Sequence, residues 1–212
     1  MKILVACEES QIVTTAFRRK GHEAFSCDIL QTSGIHTGWH LKMDVFKAIK
    51  LMQWDMMIAF PPCTHLAVSG AKHFEQKRKD GRQQQGIDFF MALTETNIPI
   101  WAIENPIGIM SKIYRKPDQI IQPYMFGDPV KKSTCLWLHG LPLLVPTNNV
   151  EAQVKYYIDK KGTKQSEWNV RQLVLDGKKY GYDSDEFKKH RSKTFKGVAE
   201  AMAEQWSTIP VR

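Results

Sequence analysis

Short apolar runs alternate with amphipathic segments along the first two thirds of the chain. The apolar runs predict strands at Lys2–Cys7, Ala24–Ile29, Asp55–Phe60, Ile98–Ile103 and Cys135–Leu138. Apolar positions with a period of about 3.6 residues predict helices between them, at Ser10–Lys20, Val45–Met52 and Gly86–Thr96. Polar stretches at Gln31–Lys42 and Lys72–Gln85 are predicted as loops. Strand and helix in alternation indicate a doubly wound, mostly parallel α/β sheet.

The last third of the chain has a different pattern. From Pro146 onwards, charges and glycines interrupt the apolar positions until an amphipathic helix at Lys193–Trp206. We therefore predict a core at residues 1–145, a small basic lobe at residues 146–190, and a C-terminal helix at residues 191–212 that returns to the core. The sequence contains no internal repeat.

Length and cysteine usage bound the class of protein. With 212 residues, 42% of them hydrophobic, the chain can bury one sizeable core. The four cysteines Cys7, Cys27, Cys63 and Cys135 lie far apart, which argues against a disulfide framework and against a metal cluster. The apolar run after Met1 reaches Glu8 and Glu9 too soon for a signal peptide, and no run has the length of a membrane span. We expect a cytoplasmic protein without a metal site.

The positive charge is concentrated in two segments. The formal net charge is +8; Lys155–Lys196 contains 12 basic and 6 acidic residues, and Lys72–Arg82 contains 5 basic and 2 acidic residues. These segments carry +6 and +3, so the rest of the chain is close to neutral. A concentrated basic surface attracts polyanions, and nucleic acid is the partner that we expect.

Two predicted strands end in residues that can do chemistry. The first runs from Asp55 into Pro61, Pro62 and Cys63, and the prolines prevent the strand from continuing past the cysteine. The second, about one strand–helix–strand unit later, ends in Glu104 and Asn105. Parallel strands of an open sheet end at one edge, where ligands bind, so a thiol and a carboxyl group are expected at one crevice.

These two strand ends carry a resemblance to a known family. Asp55 to Gly70 resembles the Pro-Cys nucleophile motif of the DNA cytosine-C5 methyltransferases, and Ala102 to Pro106 resembles their Glu-Asn motif. Asp28 and Asp44 are similar to the acidic residues that close the second and third strands of that family. The resemblance covers residues 2–140 and 190–206, and it is strongest to the small phage-type members.

The resemblance implies a covalent mechanism with three catalytic residues. Cys63 would add as a thiolate to C6 of cytosine, which makes C5 able to attack a methyl group. Glu104, kept protonated by partial burial, would donate toward N3 of the ring. Asn105 would position the loop that carries the cysteine.

The cofactor implied by the resemblance is S-adenosylmethionine. The residues implied to bind it are Cys7, Glu8, Ser10, Asp28, Ile29, Asp44, Phe60 and Pro61. Glu8 would accept from the ammonium group of the methionine part, and amides near Ser10 would bind its carboxylate at a helix N-terminus. Asp28 would accept from the ribose hydroxyls. Asp44 would contact the adenine amine, or it would be a plain helix cap. Family members have a glycine-rich turn after the first strand, whereas this chain has Ala6 to Gln11 without glycine.

A second departure lies in the strand that contacts the target base. Where the family has Gln-x-Arg-x-Arg, this chain reads from Lys131 to Cys135, so Lys132 or Thr134 would take part of that work. The segment after the nucleophile resembles the mobile catalytic loop of the family. Its basic residues are predicted to contact DNA phosphates, and they are Lys77, Arg78, Lys79 and Arg82. The target base would be flipped out of the duplex beside Cys63.

Other functions remain open on the sequence. The short recognition region also suits a C5-pyrimidine methyltransferase that acts on free nucleotides or single strands. The missing glycines and arginines suit a catalytically idle DNA-binding protein on the same fold. A charged surface loop with no partner would explain the segment at residues 72–85.

Overall fold

Seven strands form one sheet in a computed structural model of the protein, which describes residues 1–160, 162–166, 173–175, 178–181, 184, 186 and 192–209. The strands of this sheet are β1 (Lys2–Ala6), β2 (Glu23–Asp28), β3 (His40–Lys42), β4 (Met56–Ala59), β5 (Trp101–Pro106), β6 (Gln119–Ile121) and β7 (Thr134–His139). The α-helices are α1 (Ile12–Arg19), α2 (Val45–Leu51), α3 (Phe74–Lys79), α4 (Arg82–Thr94), α5 (Met110–Ile113) and α6 (Lys196–Trp206). Short 3-10 helices lie at Thr37–Trp39, Val68–His73, Pro123–Met125 and Glu151–Gln153.

The sheet has the order β3-β2-β1-β4-β5-β7-β6. Strands β3, β2, β1, β4 and β5 are parallel, and β7 runs antiparallel to both of its neighbours. The chain winds outward from β1 to β3 and then restarts at β4 on the other side of β1. This arrangement confirms the predicted Rossmann-like, doubly wound, mostly parallel sheet.

Alternating side chains of the strands divide the core into two layers. Ile3 and Val5 of β1 pack with α1 and α6 on one face, whereas Leu4 and Ala6 pack with α2 and α4 on the other. Helix α6 buries Trp206 completely, and its indole Nε1 donates to the carbonyl of Pro142 at 3.1 Å. The C-terminal helix thus returns to the core and completes one layer.

Three local predictions differ from the structure. The segment at residues 72–85, predicted as a loop, forms α3 and the start of α4, because Glu75 to Lys79 is rich in strong helix formers and closes an i,i+4 ion pair. The predicted loop at Gln31–Lys42 contains β3, and β6 was not predicted. Both strands are three residues long, too short for a period to be recognised.

Two small antiparallel sheets lie within the predicted basic lobe. One pairs β8 (Tyr156–Ile158) with β9 (Lys164–Ser166), and the other pairs β10 (Leu173–Leu175) with β11 (Lys178–Tyr180). The remaining lobe residues, and residues 210–212 of the predicted C-terminal segment, lie outside the described residues. Within the described ranges, no helix combines the length and the apolar composition that a membrane crossing requires.

Candidate active site

The chain forms a crevice where the winding of the sheet changes direction. Strands β1 and β4 are neighbours, but their connections leave on opposite sides, so the loops after their carboxyl ends diverge. Open α/β sheets bind ligands at this point. The loop after β1 carries Cys7, and the loop after β4 carries Cys63. The adjacent strands β2 and β5 end in Asp28 and in Glu104 and Asn105.

The loop after β4 carries Cys63 at the start of a tight turn. The Phe60 amide donates to the Ala6 carbonyl at 2.9 Å, which continues the pairing with β1 for one residue. Two prolines then end the strand. The carbonyl of Cys63 accepts from the amides of Leu66 and Ala67 at 2.9 and 3.0 Å, so the chain turns immediately after the cysteine. Leu66 is fully buried and anchors this turn in the core.

The four cysteines differ in their surroundings. Cys63 and Cys7 are partly exposed, Cys27 and Cys135 are buried, and none of the four forms a disulfide. Burial, followed by the neighbouring carboxylates, raises the pKa of Cys27 to about 12, and burial followed by Glu104 raises the pKa of Cys135 to about 11. Burial and the charge of Asp28 raise the pKa of Cys7 well above its ordinary value. These three thiols are therefore poor sources of thiolate.

Asn105 connects the end of β5 to the loop that carries Cys63. Its side chain is buried, and Nδ2 donates to the carbonyl of Pro61 at 2.9 Å and to the carbonyl of Glu104 at 3.1 Å. Pro61 is buried, and a buried carbonyl needs a hydrogen-bond donor, which Asn105 supplies here. This hydrogen bond ties the backbone of the Cys63 loop to β5.

Glu104 faces a pocket on the α6 side of the sheet. The pocket is small and opens to solvent, and its wall includes Phe60, Glu104, Lys132 and Thr134. Burial raises the pKa of Glu104, and the positive charge of Lys132 partly opposes this rise. The carboxyl group is therefore held closer to its protonated form than an exposed glutamate would be.

Lys132 and Thr134 approach this pocket from β7 and the segment before it. The Lys132 ammonium lies 5.8 Å from the ring centroid of Phe195, and the Lys132 amide donates to Gln122 at 2.9 Å. Thr134 is buried, and its hydroxyl donates to the Lys132 carbonyl at 3.1 Å. The structure thus brings both predicted residues to the Glu104 pocket.

The turn after β1 reaches its shape without glycine. Cys7 and Gln11 both have a φ of 59°, in the left-handed region that ordinarily favours glycine. Holding a non-glycine residue there costs about 1 to 2 kcal/mol. The Gln11 side chain supports the turn, because its amide donates to the His36 carbonyl at 2.8 Å and accepts from the His36 amide at 3.2 Å. Backbone strain of this kind is concentrated at functional sites.

Glu8 has a structural role in the first turn of α1. Its buried carboxylate accepts from the amides of Val13 and Thr14 at 2.7 and 3.2 Å and from the Thr14 hydroxyl at 2.7 Å. Glu8 therefore caps α1, and its predicted contact with the ammonium group of the cofactor stays a prediction. Burial raises the pKa of Glu8, while these hydrogen bonds oppose the rise.

Glu9, which the sequence prediction missed, is the acceptor that this turn leaves available. Its Oε2 accepts from the Ser33 amide at 3.0 Å. Its Oε1 is buried and accepts no hydrogen bond from the described residues. A buried oxygen of this kind normally has a donor, and an ammonium group of a ligand would supply one. The sequence signal was the paired acidic residues at 8 and 9, of which only one can cap the helix.

Three further predicted residues lie at the ends of β2 and β3. Asp28 is partly exposed, and its Oδ1 accepts from the Leu30 amide at 2.8 Å. Ile29 is 73% exposed, so its apolar side chain covers no core. Asp44 caps α2, since its Oδ1 accepts from the amides of Phe46 and Lys47 at 3.0 and 3.2 Å. The capping alternative for Asp44 is thus observed.

The basic residues that were predicted to contact DNA, at positions 77–82, are only partly exposed. Arg78 is exposed on α3. Lys79 is exposed and pairs with Glu75 at 2.8 Å, and Arg82 is exposed and pairs with Asp80 at 2.5 Å. Lys77 is 7% exposed and donates to the Thr64 carbonyl at 2.6 Å, which contradicts its predicted contact with phosphate. The reason is that Lys77 lies three residues after the half-buried Phe74, on the face of α3 turned toward the protein.

No three His, Cys, Asp or Glu side chains meet in an arrangement that could hold a metal ion anywhere in the described part of the chain.

The fold is similar to that of solved structures. No protein-family model and no curated protein matches the sequence. The chain is similar to a solved structure from E. coli, described as a candidate DNA modification methyltransferase encoded within a prophage. The two are 16% identical, with a TM-score of 0.48, and the match covers 69% of this chain and 51% of that one. The present chain thus spans about half the length of that structure.

Proposed function

We propose that the protein transfers a methyl group from S-adenosylmethionine to C5 of cytosine in DNA. One observation carries the proposal: a partly exposed cysteine, Cys63, follows a central strand at the crevice, and the buried side chain of Asn105 holds its loop. Glu104, on the same strand as Asn105, faces a pocket beside this crevice. A thiol, a carboxyl group and a fixed loop are the groups that covalent activation of a pyrimidine ring needs.

Cys63 acts as the nucleophile in this mechanism. Its thiolate adds to C6 of cytosine, and the electrons of the former C5–C6 double bond become available for C5 to attack a methyl group. Transfer of a proton from C5 to a base then lets the C6–S bond break, which restores the ring and the thiolate. Cys63 is suited to this role by its position, because it is partly exposed in the loop directly after the central strand β4; the other three thiols have raised pKa values and are poor sources of thiolate.

Glu104 acts as the proton donor to the ring. Because burial raises its pKa, the carboxyl group is held closer to its protonated form than an exposed glutamate and can donate to N3 as negative charge develops on the base. Lys132 faces the same pocket and supplies positive charge on that side. The two residues thus favour the charge distribution of the adduct over that of the free base.

The residues at the ends of β1 and β2 fit an adenosine with an amino-acid tail. Asp28 offers a carboxylate to ribose hydroxyls, Ile29 offers exposed apolar surface to a flat ring, and Glu9 offers a buried acceptor to an ammonium group. Cys7 and Phe60 directly follow β1 and β4, the two strands on either side of the point where the winding changes direction. When bound, S-adenosylmethionine supplies the methyl group in electrophilic form.

A basic and aromatic surface next to the pocket supports DNA as the substrate. The Lys131 ammonium donates to the Tyr156 hydroxyl at 2.9 Å, and the Lys164 ammonium lies 4.4 Å from the centroid of the same ring. All three residues of β8 are exposed. A two-stranded ribbon fits the major groove, and exposed lysines and tyrosines bind phosphates and stack on bases. The ribbon is small, so we expect a short recognition sequence.

Methyl transfer from labelled S-adenosylmethionine to duplex DNA, single strands and dCTP, measured in parallel, tests this function. We expect transfer to duplex DNA, a steep loss of duplex affinity with added salt, and no transfer by Cys63→Ser. DNA that contains 5-fluorocytosine should trap the wild-type protein covalently, because fluorine at C5 cannot be removed as a proton.

Each other result selects a different function. Transfer to dCTP with little salt dependence would identify a nucleotide enzyme. DNA binding without transfer and without cofactor binding would identify an idle DNA-binding protein. Full activity of Cys63→Ser would remove the covalent mechanism.

A further inference from the structure

Lys77 is a buried lysine directed at the loop that carries the proposed nucleophile. It is 7% exposed, and its ammonium donates to the carbonyl of Thr64, the residue after Cys63, at 2.6 Å. The same ammonium lies 5.9 Å from the ring centroid of Phe74. Lysine is rarely buried unless its charge is used, because desolvation of an ammonium group is costly.

Gly70 makes room for this contact. A Cβ atom at Gly70 would lie 3.3 Å from the Lys77 Nζ and 3.6 Å from the Thr64 carbonyl oxygen, with its nearest contact tighter than normal packing. The chain therefore passes close to the ammonium at Gly70 and encloses it between α3 and the turn after Cys63. The other basic side chains of the segment, on Arg78, Lys79 and Arg82, are exposed.

The charge of Lys77 acts on this loop. The pKa of His65, two residues after Cys63, is lowered first by burial and then by the positive charges of Lys77 and Arg82, while Asp80 opposes them. Standard backbone dimensions place the Lys77 Nζ at most about 9 Å from the Cα of Cys63. Salt screens exposed charges over a Debye length of about 8 Å, but it screens a buried charge such as that of Lys77 much less.

We propose that Lys77 is a positioning residue that fixes the Thr64 carbonyl and whose ammonium favours the thiolate form of Cys63. This inference rests on the proposed function, in which that thiolate attacks the base. Arg82 and Asp80, which also act on His65, pair with each other in solvent at 2.5 Å. Lys77 differs from them because its ammonium is buried against the backbone of the loop.

The pH dependence of Cys63 alkylation by iodoacetamide tests the inference without DNA or cofactor. Cys63→Ser serves as the blank for the other three thiols. We expect Lys77→Met to raise the pKa of Cys63 by about 0.3 to 1.4 pH units, the range for one charge at the bounding distance of about 9 Å with an effective dielectric constant of 80 to 20. Lys77→Arg should keep the wild-type value, and Arg78→Met should shift it by less than about 0.2 pH units because that charge is exposed.

Lys77→Gln separates the charge of the lysine from its hydrogen bond, since a glutamine amide can still donate to the Thr64 carbonyl. If Lys77→Gln raises the pKa as Lys77→Met does, the charge is responsible. If Lys77→Gln has the wild-type pKa, or if neither variant shifts it, the electrostatic role is wrong. Circular dichroism checks that each variant is folded. The titration is independent of methyl transfer, so a wild-type protein that transfers no methyl group would refute the proposed function and leave this result unaffected.

Discussion

Replacing Asn105 by alanine should cost both stability and activity, for the same structural reason. The substitution removes a donor that lies 2.9 Å from the buried Pro61 carbonyl and 3.1 Å from the Glu104 carbonyl. An unsatisfied buried acceptor costs about 1 to 3 kcal/mol, and we expect the free energy of unfolding to fall by that amount. The loop carrying Cys63 also loses its connection to β5, and a displacement of about 1 Å at a reacting group can reduce the rate about 100-fold.

Gln119→Ala is the matched control for this variant. Gln119 on β6 donates to the Leu144 carbonyl at 2.8 Å and accepts from the Leu144 amide at 2.8 Å. Its loss should reduce stability by a comparable amount, but Gln119 does not border the Cys63 loop. Urea unfolding measures the stability of both variants, and single-turnover methyl transfer at low urea measures their activity. If the folded Asn105→Ala protein is no slower than Gln119→Ala, the positioning role of Asn105 is wrong.

Three further predictions concern the carboxyl groups of Glu104, Glu8 and Glu9. The folded-state pKa of Glu104 is raised above its ordinary value of 4.5, so its contribution to stability is complete below that value and is lost as the pH rises through the folded pKa. Relative to the wild type, Glu104→Gln should therefore gain stability as the pH rises above about 4.5, while it loses methyl transfer; urea unfolding at a series of pH values from 4.5 upwards checks this, and a difference in unfolding free energy that stays constant with pH would contradict it. Glu8→Ala should lower the free energy of unfolding by at least about 2 kcal/mol because three donors of α1 lose their acceptor. Glu9→Gln should instead weaken S-adenosylmethionine binding in calorimetry with little loss of stability, and the reverse outcome would favour Glu8 as the ligand.

The sequence predicts the architecture well where strands are long and buried on both faces. Strands β1, β4, β5 and β7 each contain a continuous run of apolar residues, since helices cover both faces of this sheet. Strands β3 and β6 lie at the two edges and expose several of their residues, so their short segments resemble loops. The chemistry at the ends of β4 and β5 was visible for the same reason: a polar residue directly after a buried run is conspicuous.

The sequence is less informative where one residue type has two uses. Glu8 and Glu9 are identical in type and adjacent, yet one caps α1 and the other keeps an oxygen without a donor. Lys77 lies in a run of three basic residues, and composition alone predicts a solvated surface for all of them. Only the direction of each side chain on its element separates these uses, and that direction depends on the packing of α1 and α3 against the sheet.

The contacts around Cys63 together explain how a loop can hold a reactive group in place. The carbonyls of Pro61 and Thr64 lie on either side of the cysteine, and each accepts a hydrogen bond from a buried polar side chain of a different element, Asn105 on β5 and Lys77 on α3. The carbonyl of Cys63 itself is bonded within the turn. These three constraints, within four residues, restrain the backbone on both sides of the thiol. A site built in this way loses little entropy when the substrate binds, which is the condition for efficient attack by a single nucleophile.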